Sequence, residues 1–143
     1  MLKGIHSSLS PQLLATLCEM GHGDEILLAD AHFPAHTFSN NVIRADGVAV
    51  DTLLEGALAL FELDQYVEKP LIMMSAVSGD QLDPKVEEKY CSAIDRAIAA
   101  RPQIERIERF AFYERVKSCY AVVLTGETAK YGNIILKKGV TTC

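Results

Sequence analysis

Residues 20–36 read MGHGDEILLADAHFPAH, and this segment gathers three of the chain's four histidines, two aspartates and two glycines around one short apolar run. Imidazole has an ordinary pKa of about 6.5, near working pH, so a histidine is the natural carrier of a proton. His22 lies between Gly21 and Gly23, on backbone that lets another group approach closely. Asp30 closes the apolar run and is expected to reach the same pocket, where it would orient or tune the imidazole for general acid–base work. A purely structural role competes with this: a histidine at a helix end bonds the last carbonyls and answers the helix dipole. Asp30 can likewise cap a loop and Asp24 form a turn, while His6 reads as surface.

Two other chemistries fit the segment less well. Asp30, His32 and His36 offer metal donors within seven residues, but their spacing matches no specific zinc motif, and Pro34 works against a helical pairing of the two histidines. Nucleophilic catalysis lacks a G-x-S-x-G elbow, and Cys18 falls within a helical stretch where it need not face a pocket. Acid–base chemistry needs neither a metal nor a covalent intermediate.

The elements that must position these groups follow from pattern. Ser10-Pro11 predicts a helix start, with QLLATLCEM running to a left-handed stop at Gly21. EILLA is a nearly all-apolar strand of the type covered on both faces, and DAHFPAH is the loop leaving it. VIRADG predicts a strand ending in an Asp-Gly turn. Asp51 is placed to cap a helix that turns Leu53, Leu54, Ala57, Leu58 and Phe61 inward. LIMMSAV is a buried strand, SGDQLD a loop, and Asp83-Pro84 opens a helix to about residue 100, with Val86, Tyr90, Ile94 and Ala97 inward. IERIERF predicts a strand, AFYERVKS a short helix, and YAVVLTG and GNIILKKG two further strands. The expected fold is α/β, a mixed sheet flanked by helices in a single domain over residues 1–143, with the strand order left open. Polar loops at the mouth of such a sheet are where ligands sit.

Composition narrows the function classes. A net charge of −5 argues against a nucleic-acid partner, which selects for a basic face. The 143 residues suffice for a core without disulfides, and Cys18, Cys91, Cys119 and Cys143 form no C-x-x-C pair. With no membrane-length apolar run, a reducing cytoplasm is the expected compartment.

The later motifs carry a resemblance. ERFAFYERVKSCYAVVLTGETAKYGNIILKKGV, with EMGHGDEILLADAHFPAH and VIRADG, is similar to the ribose pyranase and L-fucose mutarotase family, and in particular to its fucose-acting branch, over nearly the whole chain. The resemblance implies a ring-shaped homo-oligomer, commonly a decamer, with sugar pockets near subunit interfaces. It also implies a cofactor-independent enzyme that interconverts sugar anomers. By motif, the catalytic histidine is His22, and the sugar is bound by Asp30, Arg109 and the segment Tyr131, Gly132 and Asn133. Tyr113, Glu114 and Tyr120 are candidates for a second proton relay. Read without the family, Arg109 and Arg115 are solvated ends of an amphipathic segment and Tyr131–Asn133 an ordinary turn. Phe110 and Phe112 read as packing residues either way. Pyranose–furanose interconversion and non-catalytic sugar binding remain the competing functions.

Overall fold

The computed structural model describes residues 1–143. Its strands are β1 (Glu25–Ala29), β2 (Val42–Ala45), β3 (Leu71–Met74), β4 (Ile104–Ile107), β5 (Ala121–Thr125) and β6 (Ile134–Lys137). The helices are α1 (Pro11–Glu19), α2 (Ala35–Phe38), α3 (Val50–Leu58), α4 (Pro84–Ala97) and α5 (Arg109–Lys117). One mixed sheet has the order β2-β5-β1-β6-β3-β4. Its pairings are parallel throughout except where β6 runs against both β1 and β3. The C-terminal ends of five strands and the N-terminal end of β6 therefore share one edge.

The apolar strands are explained by burial on both faces. In β1, Ile26 and Leu28 pack with α1, α3 and α4 side chains such as Leu13, Leu53 and Ile94. Leu27 and Ala29 point the other way, onto Phe33, Phe112 and Val116 beside α2 and α5. The result is three layers with the sheet in the middle.

The caps fall where the sequence placed them at two helices. Ser10 Oγ accepts the Leu13 N–H at 3.1 Å, and Asp83 Oδ1 accepts the Lys85 N–H at 3.0 Å. Three local expectations are corrected. The α1 helix stops at an extended Met20, and Gly23 rather than Gly21 takes the left-handed conformation, with φ 86°. Asp51 lies in the first turn of α3 without capping it, because the N-cap position belongs to Ala49. The loop after β1 contains the one-turn helix α2, whose start follows Pro34; proline's fixed φ suits a helix entrance even where it forbids a helix interior.

Candidate active site

The shared strand edge holds a cavity of about 300 Å³, lined by residues from four separate segments of the chain. Asp30 follows β1 and Asn133 precedes β6; because these two strands are antiparallel neighbours, the register brings the two side chains together. Asn133 Oδ1 accepts the Asp30 N–H at 2.8 Å, and Asp30 Oδ1 accepts the His32 N–H at 3.0 Å. Both residues are buried. Burial pushes the Asp30 carboxyl above the ordinary carboxylate range, only partly offset by His32 and by Asn133.

Arg109 is the first residue of α5, separated from β4 only by the N-cap Glu108, so its guanidinium enters the cavity from the adjoining strand pair. Its buried Nε has no hydrogen-bond partner, and its guanidinium lies 4.6 Å from the Phe110 ring centre. A buried unpaired donor beside a cavity is a group ready for an oxygen-rich ligand. Tyr131 completes the polar wall from a left-handed backbone, φ 58°. Gly132 contributes by having no side chain: a Cβ there would stand 2.9 Å from both the Ala129 carbonyl oxygen and the Tyr90 hydroxyl. Phe33, Pro34, Met74, Val77 and Tyr113 supply most of the apolar lining. A lining that mixes polar and apolar side chains suits a monosaccharide, which presents hydroxyls and C–H faces together.

His22 lies elsewhere. It precedes β1, at the opposite strand edge from Asp30, and the five residues of β1 separate them by roughly 16 Å of strand. The expectation that Asp30 reaches the same pocket as His22 is therefore not met within one chain. His22 has its own partner instead: its Nε2 is 3.0 Å from Oδ1 of Asp64, whose side chain is only 3% exposed. Burial works to raise the Asp64 carboxyl, but the Tyr66 N–H, the His22 ring and Lys137 outweigh it and hold the group below the usual range. Beside an ionised Asp64, the neutral imidazole favours the tautomer with its proton on Nε2, which leaves Nδ1 as the free nitrogen. Tyr66, mostly exposed, leans over the ring at 5.1 Å.

Of the proposed relay residues, Tyr113 lines the cavity, Glu114 pairs with Lys117 on the surface, and Tyr120 donates to Glu19 near the far edge. Phe112 is core as expected, whereas Phe110 is 62% exposed beside the cavity residue Arg109. The donors Asp30, His32 and His36 do not converge, since His36 contacts Arg44 at 3.4 Å. Cys18, the thiol weighed for nucleophilic catalysis, is exposed on α1 and does not line the cavity, and burial pushes the Cys119 thiol up to about 12. Sequence reasoning missed Asp64 and Asp80. In FELDQY and SGDQLD each is one of two acids in a loop, and only the fold gives it a histidine or a tyrosine to hold.

Comparison with known proteins places this geometry. The L-fucose mutarotases of Actinobacillus pleuropneumoniae serotype 5b (strain L20) and Haemophilus influenzae (strain 86-028NP) are 67% and 64% identical over 141 residues, covering 99% of this chain and 98% of each relative. The crystal structure of the Streptococcus pneumoniae fucose mutarotase in complex with L-fucose superposes with a TM-score of 0.92 at 48% identity, covering 99% of this chain and 100% of that one. Bacillus subtilis RbsD complexed with D-ribose superposes at 0.71 and 26% identity, covering 99% and 100%. Residues 3–141 match one family over almost their full extent, and the chain belongs to the RbsD / FucU transport protein family.

Proposed function

We propose that this protein is an L-fucose mutarotase, an isomerase that interconverts the α and β anomers of the free sugar without a cofactor. The observation that carries the reading is the convergence of Asp30, Arg109, Tyr131 and Asn133 on one monosaccharide-sized cavity, in a fold whose close relative holds L-fucose. Asp30 and Arg109 hold sugar hydroxyls through charge-assisted hydrogen bonds, and Asn133 adds a neutral one. The apolar wall of Phe33, Met74 and Val77 suits the methyl group of a 6-deoxy sugar.

Ring opening moves the proton of the anomeric hydroxyl to the ring oxygen as the bond from that oxygen to C1 breaks and a C1 carbonyl forms. Both oxygens are bonded to C1, so one imidazole nitrogen can take the proton from the first and deliver it to the second. Rotation about the C1–C2 bond and reclosure on the opposite carbonyl face give the other anomer. His22 performs the transfer through Nδ1, with Asp64 stabilising the imidazolium formed between the two steps.

His22 reaches the cavity from a neighbouring copy. The protein acts in the cytoplasm as a ring-shaped homo-decamer, in which the His22 edge of one subunit closes the cavity of the next. Exposed aromatic side chains at both edges, Tyr66 beside His22 and Phe110 beside Arg109, support such a junction.

The test is saturation-transfer NMR of the anomeric protons of L-fucose, and then of D-ribose, with wild-type protein and with His22→Ala. Accelerated exchange on L-fucose that vanishes in the folded variant supports the assignment. No acceleration on either sugar replaces it with a binding protein. Acceleration of pyranose–furanose exchange on D-ribose alone selects the second reading, which the similarity to a ribose-bound relative favours.

A further inference from the structure

At the cavity mouth the loop after β3 is tied to the loop before β6. The Tyr131 hydroxyl donates to Oδ2 of Asp80 at 2.8 Å and accepts the Val77 N–H at 3.3 Å. Asp80 is fixed in turn. Its N–H donates to the Val77 carbonyl at 3.0 Å, its Oδ1 accepts the Gln81 N–H at 2.9 Å, and Lys130 Nζ donates to its Oδ2 at 3.3 Å. A phenol has a single O–H to donate. With that proton directed at Asp80, Tyr131 has none for a sugar hydroxyl; what it offers the cavity is its ring and one remaining acceptor lone pair.

The backbone makes this tether consequential. Tyr131 has φ 58°, a conformation that bulky side chains rarely adopt, and its neighbour Gly132 has no room for even a methyl group. A segment so constrained has few ways to aim the ring, and the hydroxyl tether selects one of them.

We propose that Asp80 is a positioning residue of the sugar site: it holds Tyr131 as a fixed wall of the cavity and directs the phenolic proton away from the sugar. The inference rests on the sugar-site reading above but depends on no step of the proton transfer. Asp80 therefore acts on affinity rather than on ring opening. The Gln81 N–H, the Tyr131 hydroxyl and Lys130 all favour the carboxylate over the acid, and Asp80 stays ionised at neutral pH.

The test is a double-mutant cycle of Asp80→Ala and Tyr131→Phe, with Asp80→Asn as the conservative variant and amide hydrogen exchange at Val77 as a second readout. Each single change is expected to raise KM for L-fucose about tenfold, the double variant no more than either, with anomer exchange at saturating sugar changed less than about twofold. Asp80→Asn, which keeps an acceptor oxygen, falls between. Exchange at the Val77 amide is expected to speed up about tenfold in both single variants. Losses that multiply to about a hundredfold, or a fall in saturated rate with KM unchanged, overturn the proposal. So does a Val77 amide indifferent to Asp80. If the wild-type protein leaves L-fucose exchange unaccelerated while Val77 protection still depends on Asp80 and Tyr131, the mutarotase reading fails and the tether stands.

Discussion

His22 and Asp30 stand at opposite ends of the same strand, β1, one beside Asp64 and the other beside Asn133. A single chain thus carries the His22–Asp64 pair at one edge of the sheet and the cavity lined by Asp30 and Arg109 at the other. If the two work together, a second copy must bring them into contact, and this can be read by complementation. His22→Ala and Arg109→Ala should each be inactive alone. After unfolding and refolding together at equal amounts, about one quarter of the junctions in a mixed ring join an intact His22 to an intact cavity, so about a quarter of wild-type activity is expected. A mixture as inactive as its components places the whole site within one chain.

Asp64→Asn tests what the carboxylate gives to His22. An amide can still touch Nε2, but it offers no charge to stabilise the imidazolium and no fixed preference for the tautomer with Nδ1 free. The expected loss is about a hundredfold in anomer exchange at pH 7, within the usual range for general acid–base catalysis. A carboxyl held below its ordinary pKa in the folded state contributes stability above the unfolded pKa and loses it as pH falls through the folded value. Wild-type melting temperature should therefore fall faster than that of Asp64→Asn once pH drops below about 4. Parallel curves would show that the pair does not contribute to folding.

Much of the fold was legible because short-range physics decides it. Ser10 and Asp83 cap helices whose first residue is proline, and EILLA is a two-face buried strand, as its composition requires. Strand order was not legible, since the antiparallel placement of β6 between β1 and β3 depends on pairings more than 60 residues apart, for example Leu71 with Leu136. The site divided the same way. Asp30 was singled out by its place at the end of the apolar run and again by motif resemblance, Arg109 and Tyr131–Asn133 by resemblance alone, and the register of β1 against β6 supplies the physical reason Asp30 and Asn133 meet. The strand EILLA by itself sets GHGD and the aspartate of LLAD at opposite edges; what no local pattern showed is which distant side chains, Asp64 at one end and Asn133 at the other, the fold brings to each.

Asp30→Asn should make the protein more stable and less active. Burial raises the Asp30 carboxyl, so its ionised form opposes folding at neutral pH, where the unfolded chain carries the same charge freely. An amide avoids that desolvation and can still accept the His32 N–H. The expected gain at pH 7 is about 2–4 °C in Tm, which ~1 kcal/mol gives for a chain of this size. The gain should shrink as pH falls through the raised folded-state value and vanish only below the ordinary aspartate range, where the wild-type carboxyl is protonated in both states. Sugar affinity should fall in the same variant, because the charged acceptor is gone. A variant less stable than wild type at pH 7 would mean that the hydrogen bonds of Asp30 outweigh its desolvation.

Gly132→Ala asks whether backbone packing holds the site together. The new methyl would meet the Ala129 carbonyl oxygen and the Tyr90 hydroxyl at 2.9 Å and Glu127 Cγ at 3.1 Å. The Tyr90 hydroxyl donates to the Gly132 carbonyl at 2.7 Å from a fully buried ring, so it cannot withdraw without leaving both groups unpaired. Overpacking of this kind costs about 1–3 kcal/mol, and the strain falls on the residue directly before Asn133. Urea unfolding should show a loss in that range with an unchanged m-value, together with weakened L-fucose binding as Asn133 shifts from Asp30. Tyr90→Phe separates the two effects by removing the hydroxyl while keeping Gly132. It should cost about 1 kcal/mol for the lost buried hydrogen bond and leave affinity closer to wild type. Equal losses of affinity in both variants would assign the tether of this loop to the Tyr90 bond rather than to the absence of a side chain at position 132.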